Sequence, residues 1–196
     1  IRVLPEPFLK EIRKICNEKN ILLILDEVQC GVGRTGKLFA HEWVEIEPDI
    51  MMVAKGIGGG FPLGAVLAKE NAASGMTAGT HGSTYGGNPL GCSIGLKVMD
   101  IISDPDFLYD VNRKAKLFHD GLLELLKKNT SIFEEVRGKG LMLGLKCKVQ
   151  NIDVVNAGYS NKLLTVPAGD NVVRLLPPLT ISDKDINKAL NKLDLS

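Results

Sequence analysis

Residues 21–25 read Ile-Leu-Leu-Ile-Leu and end directly in Asp26-Glu27. An aliphatic run that does not alternate with polar residues suits a strand buried on both faces, so it predicts a central strand of a parallel sheet covered by helices on either side. Ahead of it, Phe8, Ile12, Ile15 and Cys16 recur at helical spacing among Lys10, Glu11, Arg13 and Lys14, which predicts an amphipathic helix opened by Pro5 and Pro7. Behind it come a glycine-rich stretch over residues 31–36, a short helical piece over 38–43, and Pro48-Asp49. A second apolar run, residues 50–54, ends in Lys55, and a second glycine loop, 56–60, leads to a strand over 64–68. The chain opens on Ile1-Arg2-Val3-Leu4 without a methionine and enters its buried strand almost at once, so the expectation is the later part of something longer.

Residues 77–88 are rich in Gly, Ser and Thr, and Pro89 sits where a helix to about residue 103 starts. Asp104-Pro105-Asp106 breaks the pattern. A long helix with Phe107, Val111, Ala115, Phe118, Leu122, Leu125 and Leu126 on one face follows, then strands over 132–136 and 141–147 turned through Gly138-Lys139-Gly140. A helix over 153–161, a strand over 172–176 and a closing helix with Ile186, Leu190 and Leu193 complete a smaller α/β unit. The expected division is therefore 1–104 and 105–196.

Composition removes several function classes. With 24 Lys+Arg against 23 Asp+Glu, a net charge of +1 leaves no electrostatic footprint for nucleic acid or an anionic membrane. No apolar run approaches the ~20 residues of a bilayer span, and no basic-then-apolar leader opens the chain, which predicts a soluble, cytoplasmic protein. The four cysteines, at 16, 30, 92 and 147, and the three histidines, at 41, 81 and 119, have no metal-ligand or redox spacing. No metal is expected.

In open parallel sheets, ligands bind at the carboxyl ends of strands. Two successive strands here end in opposite charges, Asp26 and Lys55, beside two glycine loops. Singly, Asp26 reads as a turn cap and Lys55 as a solvated strand end; together they suit a cofactor with a basic ring nitrogen and an aldehyde. Pyridoxal 5'-phosphate has both: lysine condenses with the aldehyde as a Schiff base, and aspartate keeps the pyridine nitrogen protonated. Val28, β-branched and two residues past Asp26, would supply an apolar contact to the ring. Ser83 and Thr84 would cradle the phosphate, although the same run also reads as a plain loop before a helix. Arg174 sits between Val173 and Leu175 in an apolar strand, where a guanidinium needs an anionic partner, from substrate or from a neighbouring carboxylate. Arg137 reads as structural.

A nucleotide-binding alternative uses the same glycines. Residues 31–37 satisfy G-x-x-x-x-G-K after an apolar strand ending in Asp-Glu, and Gly31, Gly33 and Gly36 also fit G-x-G-x-x-G. Against a P-loop-like nucleotidase stand Leu38 at the magnesium hydroxyl position, a loop that follows its Asp-Glu strand, and Pro48, which leaves little helix to aim at a phosphate. A third option is an inactive fragment serving as an interaction module.

Four stretches in order, residues 22–39 (LLILDEVQCGVGRTGKLF), 48–68 (PDIMMVAKGIGGGFPLGAVLA), 81–90 (HGSTYGGNPL) and 163–179 (LLTVPAGDNVVRLLPPL), closely resemble the class III aminotransferases, the ornithine and acetylornithine aminotransferase group. The resemblance implies an α/β fold-type I pyridoxal phosphate transferase: the C-terminal part of a large, mostly parallel-sheet domain plus the small C-terminal domain. It implies that Asp26 pairs with the pyridine nitrogen, Val28 packs on the ring, Gln29 lies near the phenolic oxygen, and Lys55 anchors the cofactor and carries the substrate proton. Thr84, with Ser83 nearby, would reach the phosphate across a homodimer interface with shared active sites, and Arg174 would bind the substrate α-carboxylate. The implied reaction is amino transfer between N-acetylornithine, or a related ω-amino donor, and 2-oxoglutarate in arginine biosynthesis. Ornithine, N-succinyl-diaminopimelate and 4-aminobutyrate remain alternative donors. The family's N-terminal segments, including a glycine turn at the phosphate and an aromatic residue on the other ring face, would precede Ile1.

Overall fold

The computed structural model describes residues 1–194 and divides into two compact units: Leu4–Leu108, and a second made of Ile1–Val3 together with the chain from Tyr109 onward.

In the Leu4–Leu108 unit, helix α1 spans Glu6–Lys19. Its end follows from Asn20, which takes up a left-handed conformation (φ +54°) that asparagine tolerates, and whose N–H bonds back to Asn17. The face it buries is turned slightly from the expected stripe. Leu9, Ile12 and Cys16 pack with Leu23, Leu25, Val44 and Ile46, whereas Phe8 and Ile15 are exposed. Both sets have helical spacing, so periodicity alone does not choose between neighbouring stripes.

Strands β1 (Ile24–Asp26), β2 (Ile50–Val53) and β3 (Ala65–Ala68) form a three-stranded sheet in that order. β1 and β2 run parallel with Ile24 opposite Ile50, while β3 runs antiparallel to β2. The strand expected to be central, β1, stands at one edge of the sheet formed by the described residues, with one face open. Among the described residues β1 pairs only with β2, and alternation puts Leu23 and Met51 on a covered face and Ile24 and Val66, 52% and 68% exposed, on an open one. Only one of the two pairings is parallel.

The short helical piece expected over 38–43 is a 3-10 helix, Ala40–Val44. Beyond the sheet come α2 (Glu70–Ala73) and α3 (Pro89–Ile102), which Asn88 caps by accepting a hydrogen bond from the Gly91 N–H at 2.8 Å.

Asp49 ties three of these elements together. Its carboxylate accepts from the Leu23 N–H and from Arg13 of α1, both at 2.8 Å, and its carbonyl accepts from the Lys69 N–H beyond β3.

The second unit is built on α4 (Pro105–Lys128), most of which belongs to it, and on a four-stranded antiparallel sheet in the order β4 (Phe133–Lys139), β5 (Met142–Cys147), β7 (Val172–Leu175), β6 (Val166–Ala168). Helices α5 (Asn151–Ser160) and α6 (Asp183–Asp194) complete it. Val111, Ala115, Phe118, Leu122 and Leu125 of α4 are buried as their spacing predicts, along with Leu143, Leu145, Val172, Val173 and Ile186. Gly121 lets α4 meet α6, because a Cβ there would lie 2.2 Å from Leu190 Cδ1. Strand β6 was not anticipated: Pro167 cannot donate to a ladder, and β6 tolerates it because it is the sheet edge. No helix among the described residues is long and apolar enough to cross a membrane.

Replacing Asp49 by Ala strands the Leu23 N–H and takes from Arg13 its ion pair, leaving it the Glu47 carbonyl at 3.1 Å, and is expected to cost about 1–3 kcal/mol in chemical denaturation at pH 7. The Leu23 and Arg13 bonds hold the Asp49 carboxyl below the usual range, so its contribution is full above the unfolded-state pKa and disappears as pH falls through the lower folded value. Asp49→Asn should accordingly differ from wild type at neutral pH and converge with it in acid; a constant difference would contradict the assignment.

Candidate functional site

Because β1 and β2 are parallel, Asp26 and Lys55 emerge at the same, carboxyl, end of the sheet. Both are exposed. Asp26 Oδ1 accepts from the Val28 N–H at 3.0 Å, and the carboxylate has no ion pair among the described residues. Lys55 opens a 3-10 turn, Lys55–Gly58, in a left-handed conformation (φ +46°) that a non-glycine residue adopts only when its surroundings require it. Its Nζ donates to Gln29 Oε1 at 2.7 Å. Of the expected site residues, then, Lys55 and Gln29 are in direct contact, and Asp26 stands on the neighbouring strand. Val28 meets Asp26 through its backbone.

The loop between β1 and the Ala40–Val44 helix is organised from inside by Glu27, 2% exposed. Its carboxylate accepts from the Ala40 and His41 N–H groups, both at 2.9 Å, lies 3.1 Å from His41 Nδ1, and faces Cys30 Sγ at 3.3 Å. Gly31 must lack a side chain, since a Cβ would stand 2.7 Å from the Glu27 carbonyl. The sequence pattern marks Glu27 only as a strand-end acid. The available signal was its position, an acidic residue immediately after a buried run and before glycines.

Residues 31–37 do not form a phosphate loop. The chain there is a series of turns, the helix that follows is a five-residue 3-10 segment, and Lys37 lies over the Trp43 ring, 5.4 Å from its centroid. That segment is too short to present a helix N-terminus to a phosphate, which removes the physical basis of the nucleotidase alternative. His41 is engaged with Glu27, and His81 is in an exposed loop. No group of three or more metal-ligating side chains occurs among the described residues.

Ser83 and Thr84 lie in the exposed loop before α3. Ser83 Oγ is already used, accepting from the Gly86 N–H at 2.9 Å. The Thr84 side chain makes no hydrogen bond among the described residues.

Arg174 is in the other unit, on β7, opposite Gly144 of β5 and Val166 of β6. It has no ion pair among the described residues, and its Nε is buried without a hydrogen-bond partner. An orphaned guanidinium nitrogen in an apolar strand is costly unless an anion reaches it. Arg137, by contrast, is fully engaged, with Glu135 at 2.7 Å and Asp170 at 2.5 Å, as a structural reading requires.

Burial first, and then the Glu27 carboxylate, push the Cys30 thiol up to about 12. At pH 8 Cys30 should hold roughly a thousandfold less thiolate than an ordinary exposed cysteine. Alkylation followed by peptide mapping is expected to label exposed Cys92 and spare Cys30, with Glu27→Gln restoring part of the reactivity; equal labelling in wild type would contradict the buried pair.

Comparison with known proteins extends this geometry. Residues 1–195 match the family model described as Aminotransferase class-III. The acetylornithine aminotransferase of Rhodobacter capsulatus is 63% identical over 194 residues, which are 99% of this chain and 49% of that protein. That of Mesorhizobium japonicum is 55% identical over 193 residues, 98% of this chain and 48% of the relative. Among solved structures, N-acetylornithine aminotransferase from Stenotrophomonas maltophilia K279a has a TM-score of 0.85 at 36% identity, with 95% of this chain and 50% of that one covered. The ornithine aminotransferase of Toxoplasma gondii ME49 has a TM-score of 0.91 at 33% identity, covering 98% and 47%. The chain spans about half the length of the curated relatives it matches.

Proposed function

This chain belongs to the class-III aminotransferases, whose fold-type I architecture and pyridoxal 5'-phosphate cofactor it shares, and on that premise we propose that its Leu4–Leu108 unit carries the lysine-bearing part of the cofactor site. The observation that carries the reading is Lys55, exposed at the carboxyl end of a parallel strand pair, in a left-handed backbone conformation, with its amine on Gln29 and the unpaired Asp26 carboxylate on the adjacent strand. The donor set fits the cofactor: an amine for the aldehyde, an acid for the ring nitrogen, and an amide for a phenolic oxygen.

When bound, pyridoxal phosphate supplies an electron sink for the carbanion formed at the substrate Cα. The chain's own residues do the rest. Lys55 Nζ would hold the aldehyde and is the amine placed to take the substrate Cα proton and return it. Asp26, an anion with one oxygen fixed by the Val28 N–H, keeps a ring nitrogen protonated and so keeps the sink effective. Gln29 orients Lys55 in the free site and becomes available to a phenolic oxygen. Val28 contributes an apolar side chain next to Asp26. Thr84, with an uncommitted hydroxyl, and Ser83, whose hydroxyl is engaged by the Gly86 N–H, would hold the phosphate.

Arg174 binds the α-carboxylate of an amino acid or 2-oxo acid, which gives its buried, unpartnered Nε the anion it lacks. The whole protein transfers an amino group between N-acetylornithine and 2-oxoglutarate in the cytoplasm. The supporting observation is that relatives 63% and 55% identical over nearly this whole chain are acetylornithine aminotransferases. It acts as a homodimer with shared sites, a reading supported by an exposed 77–88 loop and by exposed Leu90 and Leu96 on α3. A domain division at 104/105, four residues ahead of the boundary between the two compact units, would separate the cofactor unit from the one bearing Arg174.

The test is borohydride trapping with pyridoxal phosphate, on the chain alone and combined with the N-terminal half of the Rhodobacter capsulatus relative. Condensation of the Lys55 amine with the aldehyde releases water, and hydride reduces the resulting C=N bond to a stable secondary amine. Mass mapping should place the adduct on Lys55, and Lys55→Ala should abolish it; labelling of neither form, or labelling centred on Lys37, would contradict the reading. In the combined protein, Arg174→Ala is expected to raise KM for both the amino acid and the oxo acid by about 10- to 100-fold, from loss of a charge-assisted contact. Unchanged kinetics would remove Arg174 from the site.

A further inference from the structure

We propose that Val32 and Gly56 form a matched pair that positions Lys55: the Val32 side chain is the stop against which the Lys55 turn is set, and a Cβ on residue 56 would press on that stop and push the turn away from it by a few tenths of an ångström. The proposal rests on Lys55 being the cofactor-anchoring lysine.

Val32 is held where valine is disfavoured. It is β-branched, 2% exposed and left-handed at φ +53°, a conformation that persists only when the surrounding structure over-determines it. The loop around it supplies that constraint through Gly31 N–H to Glu27 O at 2.9 Å, Gly33 N–H to Leu38 O at 3.1 Å and Gly36 N–H to Gly33 O at 3.0 Å. A glycine would fit this backbone with no steric penalty. The side chain must therefore matter for what it touches.

What it touches is the turn that carries Lys55. A Cβ built on Gly56 would stand 3.1 Å from Val32 Cβ, 3.5 Å from Cγ1 and 3.8 Å from Cγ2, the first being closer than Cβ atoms normally approach. Gly56 is not among the residues with positive φ. Its backbone thus makes no demand for glycine, and the closeness of Val32 does. Elsewhere the same turn is backed by α3, where a Cβ on Gly59 would meet Val98 Cγ2 at 2.9 Å. With little freedom left, Lys55 is kept at φ +46°.

The loop after β1 therefore meets the turn twice. Gln29 takes the Lys55 amine at 2.7 Å, and Val32, three residues on, abuts the adjoining peptide. Val32 acts on the site through this backbone contact, so it is a positioning residue.

A rescue experiment separates this role from general packing. The trapping rate at Lys55 with pyridoxal phosphate and borohydride is measured by peptide mapping in the full chain under conditions that label the wild type, with the melting temperature recorded alongside. Gly56→Ala should slow trapping about tenfold or more by driving the turn off Val32. Val32→Gly should slow it about threefold or more because it removes the stop, while relief of the backbone at φ +53° offsets only part of the stability lost with the buried side chain. The double variant should trap faster than Gly56→Ala and rise toward the Val32→Gly rate, because the clash is gone although the stop is missing. Wild-type trapping in either single variant, or a double variant no faster than Gly56→Ala, overturns the pair while leaving Lys55 as the anchor. If Gly56→Ala does not fold, Val32→Gly alone decides by the same criterion. A wild type that never labels at Lys55 removes the cofactor reading and this proposal with it.

Discussion

The Glu27 carboxylate, 2% exposed, accepts two backbone N–H groups, faces His41 and receives the Cys30 thiol. A buried anion is tolerated only when donors surround it, so the chain from 27 to 41 has little choice but to wrap around this side chain. Everything the loop presents to Lys55 follows from that wrap. Gln29 is directed to the amine, and Val32 is pressed against Gly56 in a conformation valine would not take alone. The Cys30 thiol, raised by burial and by the same carboxylate, is left as a packing group with little thiolate character.

The sheet does the coarser positioning. Parallel pairing of β1 with β2 brings a strand-end acid and a strand-end amine to one edge, and Asp49 secures that pair to α1 and to the residue after β3. The opposite face of this sheet carries exposed Ile24 and Val66, and the outer edge of β1 pairs with no described strand. An aliphatic face and an edge of this kind are what a larger sheet would pair and cover. The solved aminotransferases that superpose on this chain are about twice its length.

Much of this was legible in the sequence because the informative residues interrupt strong patterns. Asp26 and Lys55 each end an apolar run, Arg174 breaks an apolar strand, and the four quoted stretches carried the family itself. The stretches also supplied Gln29, which composition and spacing did not. Elements were lost where physics does not write a periodicity. Strand β6 hides behind Pro167 at a sheet edge, and residues 21–23 look like strand although the Leu23 N–H is taken by an aspartate side chain instead of a ladder. Glycines 31 and 56 were visible as loop signals, but one is small for Glu27 and the other for Val32, and a contact spanning 24 residues has no local signature. The choice between Leu9 and Phe8 on α1 was equally invisible, since it depends on what the helix packs against.

A structure of the protein crystallised with pyridoxal phosphate addresses the central claim, that the strand ends of β1 and β2 form one cofactor site. The account predicts Lys55 Nζ bonded to the aldehyde carbon, with an Asp26 carboxylate oxygen within hydrogen-bond distance of the ring nitrogen and the Val32–Gly56 contact unchanged. Cofactor anchored at another lysine, or at Lys55 with Asp26 turned away from the ring, would contradict it.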